Sequence, residues 1–419
     1  HAPPARPREP RRRARPATAP IAYPTCPSAE EARARLATGR AFSALLDDGS
    51  LPGVHRDLLD EARDAGCAVI VVDDGVGVRD WSDLGAATVV ADGFTRSELV
   101  DLLHQHSSPI GQVDRLPNAS LDDDETTRWH GSLIAVTGPG GAGSSTLAMA
   151  LAQGLAVDPR RRNLVALADL CLDADLAMMH DAQDVIPGVQ ELVDAHRMGT
   201  PTLEEIRSLT FDGGSRGYRL LLGLRHHRDW TAIRIRAFEA ALASIRRCHR
   251  IVVADVDDDL EGESDTGSTD VEDRNLMART VVSQADLVLA VGLPSLTGLH
   301  HLVRTYGRLL AAGLDAERLV PVINRSPRNS RARSSVTSTF AQLIGTERLA
   351  QNPIHIGDKR GVEEALLDGV QLPAGLAESI TRPTAALLES VGPRAPITAT
   401  EPVAVQPGSL GHWADEEAG

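Results

Sequence analysis

A run of small residues between an apolar segment and a helix-forming segment has the residue types that bind phosphate. Residues 133–155 read LIAVTGPGGAGSSTLAMALAQGL, a hydrophobic strand followed by a glycine-rich turn and a small-residue helix. The backbone N–H groups of such a turn, with the N-terminus of the next helix, form a cradle for phosphate oxygens. The cradle residues are Gly138, Pro139, Gly140, Gly141, Gly143, Ser144, Ser145 and Thr146. The turn therefore predicts a nucleotide-binding P-loop.

The cradle lacks the cation that normally accompanies it. A P-loop lysine offsets the charge of the β and γ phosphates, but Ser144 stands at that position, and Lys359 is the only lysine in the chain. A close charge pair contributes roughly 4 kcal/mol at an intermediate dielectric. Its loss weakens triphosphate binding and transition-state stabilisation. We therefore expect a nucleotide-sensing or degenerate ATPase site with slow turnover at most.

Three polar residues close predicted strands after the glycine turn. Asp169 ends the second strand of the predicted sheet, Asp255 the fourth and Asn324 the sixth. Ligands of an open parallel sheet gather at the carboxyl ends of its strands. A lone aspartate at a strand end is more often a satisfied turn residue, but three such residues in order after this turn favour a ligand site.

Alternating strands and helices position these residues in an α/β fold with parallel sheets covered on both faces. The strands of the larger unit, residues 131–382, are predicted at 133–137, 164–169, 218–222, 251–255, 287–291, 319–324 and 353–356, with a helix over 231–247. A smaller unit, residues 21–107, has predicted strands at 21–24, 43–48, 68–74 and 87–92, and helices at 29–38, 54–65, 78–84 and 95–105.

Composition separates these units from the rest of the chain. Residues 1–20 are rich in arginine and proline, 108–130 contain a DDDE run between prolines, and 383–419 carry scattered prolines. We expect a disordered tail, a linker and a second disordered tail.

Overall composition excludes several classes of protein. The chain has 419 residues, 42% of them hydrophobic, and a net charge of −15, which favours two globular domains and argues against a nucleic-acid binder. Its four cysteines are widely spaced, so neither a zinc site nor a disulfide framework is expected. The first twenty residues contain no apolar leader, and the prolines of the last segment prevent a long amphipathic helix. We expect a cytoplasmic protein without direct membrane insertion.

Six segments together carry a family resemblance. They are VTGPGGAGSSTLAMALAQGL, LADLCLDADLAMMHDAQDVIPGVQELVDAHR, LLLGLRHHRDW, VVADVDDD, VINRSPRN and PIHIGDKRGVEEALLDGVQLP. They resemble the MinD/ParA class of deviant P-loop ATPases and, within it, the CpaE/TadZ-like proteins and the actinobacterial septum-site-determining (Ssd) group. The resemblance implies a doubly wound P-loop NTPase fold, ATP or ADP with Mg²⁺ as cofactor, and a homodimer with nucleotide between the subunits.

Within this resemblance, the residues of the glycine turn take defined roles. Pro139 stands where the class has its signature lysine, and Ser144 where the second lysine lies, so both cations are absent. Ser145 matches the Mg²⁺-binding hydroxyl, and Thr146 matches the neighbouring phosphate contact.

The strand-end residues take roles in the same way. Asp169 resembles the catalytic switch I aspartate that positions the attacking water, with Asp173 as the alternative. Asp255 resembles the aspartate that reaches Mg²⁺ through water. Asn324 matches the asparagine that holds adenine, and residues 353–358 match the other base-side loop.

The chain departs from the class just after Asp255, where a proline and a glycine are replaced by Val-Asp-Asp-Asp. Ten acidic residues lie among the nineteen of segment 255–273. If this segment faces the site, Mg²⁺ becomes essential for nucleotide binding; the alternative is a solvated loop that points away. Arg225 and Arg228 could replace the missing lysine, or could be surface residues.

The smaller unit resembles a flavodoxin-like receiver domain. Asp47 or Asp48 falls near the phospho-acceptor position, whereas Asp73 lies near the usual hydroxyl position and Asp92 where receivers carry lysine. Because the lysine is missing, the resemblance implies a pseudoreceiver used for docking.

The whole resemblance implies a positioning or regulatory protein. Its role would be septum-site determination or localisation of a pilus or secretion apparatus, with recruitment to the septum or pole by protein partners of those machineries. Two alternatives remain open: a slow ATPase in which arginine replaces lysine, and a scaffold that binds no nucleotide.

Overall fold

Two α/β units make up the part of the chain that the structure describes. The computed structural model describes residues 26–391 except 27, 39–40, 52, 74–78, 108–129, 160, 183 and 346–347. The strand predicted at 21–24, the tail at 1–20, nearly all of the linker and residues 392–419 lie outside the described residues.

The first unit is a small parallel sheet with helices. Its elements are α1 (Ala29–Ala37), β1 (Ala44–Asp48), α2 (Arg56–Asp64), β2 (Ala68–Val72), β3 (Thr88–Val90) and α3 (Arg96–His106). The described strands lie in the order β1-β2-β3, all parallel. Flavodoxin-like sheets have five strands in the order 2-1-3-4-5, so the receiver-like interpretation of this unit stays a prediction.

The acidic residues of this unit are held by local partners. Asp48 accepts hydrogen bonds from the backbone and side chain of Ser50, and Asp73 accepts one from the indole of Trp81. Burial raises the pKa of Asp47. Asp92 is exposed. No phosphorylation chemistry follows from these contacts.

The helix predicted at 78–84 is wrong for residues 79–84, since 79–80 have no regular structure and 81–84 form turns. The Asp80 carboxylate accepts hydrogen bonds from the backbone N–H groups of Ser82 and Asp83. Such side-chain bonds compete with a helical ladder, and Gly85, at φ 101°, ends the segment.

The second unit is built on an eight-stranded sheet. Its strands are β4 (Ser132–Thr137), β5 (Val165–Leu170), β6 (Phe211–Asp212), β7 (Arg219–Leu221), β8 (Ile251–Val256), β9 (Leu287–Gly292), β10 (Leu319–Ser326) and β11 (Ile354–Gly357). They lie in the order β11-β10-β9-β4-β8-β5-β7-β6. All pairs are parallel except β6 with β7. The predicted parallel sheet is confirmed, and each of its seven predicted strands lies within two residues of an observed one.

Helices cover both faces of this sheet. They are α4 (Ser144–Ala156), α5 (Leu176–Met179), α6 (Val189–Met198), α7 (Leu203–Ser208), α8 (Ile235–Cys248), α9 (Glu263–Thr266), α10 (Thr269–Arg274), α11 (Leu276–Gln284), α12 (Leu296–Ala311), α13 (Ser330–Ile344), α14 (Val362–Leu367) and α15 (Ala374–Val391), with 3₁₀ turns at Gly214–Arg216, His227–Ala232 and Ala316–Arg318. Two apolar clusters, one on each face, bury the central strands completely. This explains why β5, β8 and β9 read as continuous apolar runs.

The carboxyl-terminal boundary predicted at residue 382 is wrong, because α15 continues through residues 383–391. Pro383 lies inside the helix, yet Thr384 is fully buried and Leu387 packs on the apolar cluster under the sheet. The helix lies so close to α4 that a Cβ at Gly154 would meet the Thr381 hydroxyl at 2.1 Å. Packing against α4 therefore outweighs the local effect of the proline.

Helix α2 of the first unit packs on α6 and α8 of the second. Arg56 donates to the carbonyl of His196 at 2.9 Å and to the Thr200 hydroxyl at 3.1 Å. Arg236 on α8 pairs with Asp64. The two units therefore meet away from the glycine turn, on the face that carries α6 and α8. Among the described helices, none combines the length and apolar character needed to span a bilayer.

Candidate functional site

The glycine turn joins β4 to α4 at the carboxyl edge of the sheet. Gly141 and Gly143 have φ values of 80° and 88°, in the left-handed region that favours glycine. A Cβ at Gly138 would lie 2.6 Å from the carbonyl oxygen of Val291 at the end of β9. These positions need glycine for conformation and for close packing, and the turn is held against the neighbouring strand as a result.

Three hydroxyl residues begin α4. Ser144, Ser145 and Thr146 form its first turn and are half-buried. The first N–H groups of a helix have no intrahelical acceptor, and they carry the positive end of the helix dipole. The helix start and the glycine turn thus present an anion-binding surface, with serine where a lysine would reach the phosphates.

Asn324, predicted to hold a base, fastens the glycine turn to β10. Its Nδ2 donates to the carbonyl oxygen of Ala142 at 2.8 Å, and its Oδ1 accepts from the Arg325 N–H at 2.9 Å. A Cβ at Gly143 would lie 2.6 Å from the same Nδ2. The observed role is to position the turn, and contact with adenine stays a prediction. Residues 354–357 of the predicted base-side loop form strand β11.

Asp169 and Asp255 are brought together by strand register. They are direct partners across the parallel pair β5 and β8, so their side chains lie on the same face of the sheet. They are 1% and 2% exposed, respectively. Two carboxylates are therefore buried side by side next to the glycine turn.

The Asp255 carboxylate is only partly satisfied. The Ser145 hydroxyl lies near it and lowers its pKa, while its Oδ1 has no hydrogen-bond partner. Burial raises the pKa of Asp255 to about 7 despite the opposing effect of the Ser145 hydroxyl. An orphaned carboxylate oxygen of this kind costs about 1–3 kcal/mol, and a bound cation would remove that cost.

Asp169 is held by backbone groups. Its oxygens accept from the N–H of Leu176 at 2.9 Å and from that of Cys171 at 3.4 Å. Burial, followed by the charge of Asp255, raises the pKa of Asp169 well above its ordinary value. The alternative residue, Asp173, is exposed and pairs with His227 at 3.0 Å. Of the two aspartates, Asp169 is the one that is buried opposite Asp255.

The oxygen groups at this edge of the sheet fit Mg²⁺. The Ser145 hydroxyl and the Asp255 carboxylate supply hard oxygen donors, and Asp169 lies within reach of the same point. Mg²⁺ is bound by one or two carboxylates, and phosphate and water complete its ligands. Ser145 and Asp255 are therefore the residues that would hold the cation.

The acidic run after Asp255 is ordered, so the solvated-loop alternative is wrong for its first three aspartates. Asp257 accepts from the Leu172 N–H at 2.8 Å. Asp258 accepts from Thr305 and Arg308, and Asp259 from Arg274. Among the later acidic residues Glu272 is half-buried and accepts from the Glu263 N–H at 2.8 Å, and the others are exposed: Glu261, Glu263, Asp265, Asp270 and Asp273. The run is thus fastened to its surroundings at its beginning and solvated further on.

Neither arginine proposed to replace the lysine is shown in that role. Arg225 donates to Gln190 at 2.9 Å and to Glu191 at 2.7 Å on α6, and Arg228 is exposed. The Lys359 ammonium lies near Gly375 at the start of α15. The replacement hypothesis therefore requires Arg225 to leave its ion pair.

Sequence reasoning missed Cys171 and Asp257. Cys171 follows β5 directly, and its sulfur lies with oxygens of Asp169 and Asp255 in a group whose ligand atoms are all within 4.8 Å of one another. The Asp257 carbonyl accepts from the Thr137 hydroxyl at 2.9 Å. The adjacency of both residues to strand-end aspartates was the only available signal.

Comparison with known proteins gives structural similarity only. No protein-family model and no curated protein matches the chain. A ParA family ATPase from Chlorobium tepidum is 17% identical over 60% of this chain and 97% of its own, with a TM-score of 0.47. The septum site-determining protein MinD with Mg-ADP from Pyrococcus horikoshii is 15% identical over 62% of this chain and 98% of its own, with a TM-score of 0.45. A McdA variant from Cyanothece, in complex with ATP, is 14% identical over 64% of this chain and 98% of its own, with a TM-score of 0.44. At these scores the similarities assign neither family nor function.

Proposed function

We propose that this chain binds ATP, or ADP, together with Mg²⁺ and uses the nucleotide mainly as a structural ligand. One observation carries the proposal: the Ser145 hydroxyl, in the first turn after the glycine turn, interacts with the buried Asp255 carboxylate, whose Oδ1 has no hydrogen-bond partner. This arrangement supports a cation site directly beside a phosphate cradle.

Each part of the site has one task. The backbone N–H groups of residues 138–146 bind phosphate oxygens. Ser145 and Asp255 hold Mg²⁺, which neutralises charge between the phosphates. Because Ser144 supplies no positive charge, the cation becomes a requirement for nucleotide binding rather than an aid to it.

Slow turnover follows from the same groups. Fast phosphoryl transfer needs positive charge near the developing transition state, and the first turn of α4 has no positively charged side chain. Asp169, the candidate for positioning water, is tied to two backbone N–H groups and is 1% exposed. A positioning group must reach the water it orients, so this aspartate is poorly placed for rapid cycles.

The biological role that we propose is that of the CpaE/TadZ/Ssd type within the MinD/ParA class. Support comes from the six sequence segments and from the order of glycine turn, Asp169 and Asp255 along the strands. The protein acts as a homodimer that positions the division septum or a pilus or secretion apparatus. Partner proteins recruit it to the septum or pole, and the first unit serves as the docking domain.

Calorimetry of the full chain tests nucleotide binding. ATP and ADP are each titrated with Mg²⁺ and with EDTA, using Asp255→Asn as the test variant and Asp259→Asn as its matched control. We expect binding with Mg²⁺ alone, binding weakened at least about tenfold in Asp255→Asn, and no change in the control. Sizing of the complex then tests dimer formation.

Two results separate the alternatives. Phosphate release above that of a Ser145→Ala, Asp169→Ala double variant would favour a slow ATPase. Absence of heat and of any rise in melting temperature with Mg-ATP would favour a scaffold without nucleotide, and would contradict the proposal.

A further inference from the structure

A mixed oxygen and sulfur group lies beside the glycine turn. Within the described residues, one ligand atom each from Asp169, Cys171 and Asp255 lies within 4.8 Å of the other two. The three residues come from the ends of neighbouring strands β5 and β8. They converge because the register places the two aspartates opposite each other and the chain leaves β5 at Cys171.

A second observation indicates that this group has a ligand. Asp255 is 2% exposed, and its Oδ1 makes no hydrogen bond. Buried polar atoms without partners are rare and call for an explanation such as an ion. Asp169 is already oriented by the N–H groups of Cys171 and Leu176, as ligating carboxylates are in known metal sites.

The donor set selects a particular kind of cation. Mg²⁺ takes oxygen ligands, whereas a cysteine sulfur suits zinc and related softer cations. Two carboxylates and one thiolate, which forms when the cation displaces the Cys171 thiol proton into solvent, leave one position of a tetrahedron open. We propose that Asp169, Cys171 and Asp255 bind a thiophilic divalent cation of the zinc class, with water or a phosphate oxygen as the fourth ligand.

The end of β7 limits the space around this group. A Cβ at Gly223 would lie 2.9 Å from the Asp169 carbonyl oxygen, 3.0 Å from its Cγ and 2.5 Å from the Ala174 Cβ. Glycine at this position lets the chain pass without displacing the Asp169 carboxylate. Gly223→Ala therefore disturbs the ligand geometry while leaving all three donors in place.

This cation site shares Asp169 and Asp255 with the proposed nucleotide site but does not rest on nucleotide binding. The softer cation binds in the absence of nucleotide, because all three of its protein ligands belong to one chain. Mg-nucleotide competes with it, since both need Asp255. Failure of nucleotide binding would leave the test below intact.

Cobalt is a suitable probe, because its thiolate complexes absorb in the near ultraviolet and tetrahedral sites give visible bands. The nucleotide-free full chain is titrated with Co²⁺ alone. We expect one equivalent to produce a thiolate charge-transfer band. Zn²⁺ abolishes the band by displacing Co²⁺, in line with their relative affinities, and excess Mg²⁺ leaves it unchanged.

Matched variants assign the ligands. Cys171 and Cys26 are the two partly buried cysteines, so Cys171→Ser removes the band and Cys26→Ser retains it. Asp255→Asn and Gly223→Ala each weaken Zn²⁺ binding at least about tenfold in calorimetry, and melting curves establish that each variant is folded.

Three results would overturn the inference. They are absence of the band in the folded native chain, persistence of the band in Cys171→Ser, and displacement of Co²⁺ by Mg²⁺ as readily as by Zn²⁺. None of them depends on whether ATP binds.

Discussion

Aspartates in two neighbouring regions of the second unit differ in whether their carboxylates have hydrogen-bond partners. At the strand ends, Asp169 and Asp255 are buried together, and one oxygen of Asp255 has no partner. Immediately afterwards, Asp257, Asp258 and Asp259 each accept bonds from neighbouring segments. The contrast shows that the number of nearby hydrogen-bond donors, rather than the number of negative charges, distinguishes aspartates that stabilise the fold from those available to a ligand.

The largest effect that sharpens this comparison is the pH dependence of stability. The pKa of Asp255 is raised from 3.8 to about 7 in the folded protein, so the folded state binds the extra proton. Its stabilising contribution is complete below pH 3.8 and is lost as pH rises through about 7. Relative to the native chain, Asp255→Asn should therefore gain roughly 3 kcal/mol of unfolding free energy between pH 5 and pH 8.

Urea unfolding at the two pH values measures this difference. Comparison of native with variant removes the opposing contribution of buried histidines such as His196, whose pKa burial lowers to about 3. Asp259→Asn serves as the control and should show a flat difference. If the difference in unfolding free energy between Asp255→Asn and the native chain is also the same at both pH values, burial of the Asp255 carboxylate destabilises the fold no more than that of its neighbours.

The next effect concerns a partnered aspartate. Asp258 accepts from the Thr305 hydroxyl at 2.8 Å and from Arg308 at 2.7 Å, and Thr305 is 1% exposed. Asp258→Ala leaves a buried hydroxyl and a half-buried guanidinium without their acceptor, so the free energy of unfolding should fall by about 2 kcal/mol. Urea unfolding checks this value, with exposed Glu261→Ala expected to change it by less than about 0.5 kcal/mol. Equal losses of unfolding free energy in Asp258→Ala and Glu261→Ala would show that the bonds of Asp258 do not stabilise the fold.

A smaller effect is expected at the glycine turn. Asn324→Ala removes the bond to the Ala142 carbonyl and should cost about 1 kcal/mol of stability. The turn loses its link to β10, so we also expect faster amide hydrogen exchange at Gly143. Unchanged exchange there, in a variant of reduced stability, would show that the turn keeps its shape without Asn324.

The smallest effect separates a structural bond from cation binding. In the native chain the Asp257 carboxylate accepts a hydrogen bond from the Leu172 N–H at 2.8 Å. Asp257→Ala removes this bond and should lower the free energy of unfolding by less than about 1 kcal/mol, because Asp257 is half-buried. Affinity for Mg-ATP should stay within about twofold of native in calorimetry. A loss as large as that of Asp255→Asn would place Asp257 among the cation ligands.

Much of the larger unit follows from sequence because its strands are buried on both faces. Apolar runs such as those of β5 and β8 predict strands, and polar residues at their ends predict the ligand edge of the sheet. The order of the strands in the sheet could not be predicted from the sequence, so only the structure shows that Asp169 and Asp255 lie side by side. The same holds for Cys171, which has no metal-binding spacing in the chain.

Other features depend on contacts between distant segments. The Asn324 amide reaches Ala142 across most of the unit, and no local pattern indicates it. Helix α15 passes through Pro383 because α4 offers a surface to pack on, whereas composition alone favours a tail. At residues 81–84 the Asp80 carboxylate bonds to the backbone and favours turns, and this outweighs apolar spacing.

The central claim is that the chain keeps a phosphate cradle but lacks its cation, and restoring the cation at position 144 tests it most directly. The dissociation constant of Mg-ATP is measured by calorimetry for the native chain and for Ser144→Lys. A lysine that reaches the phosphates should tighten binding at least about tenfold. Equal affinity in the two proteins, with both folded, would show that position 144 does not face a bound phosphate and would contradict the account.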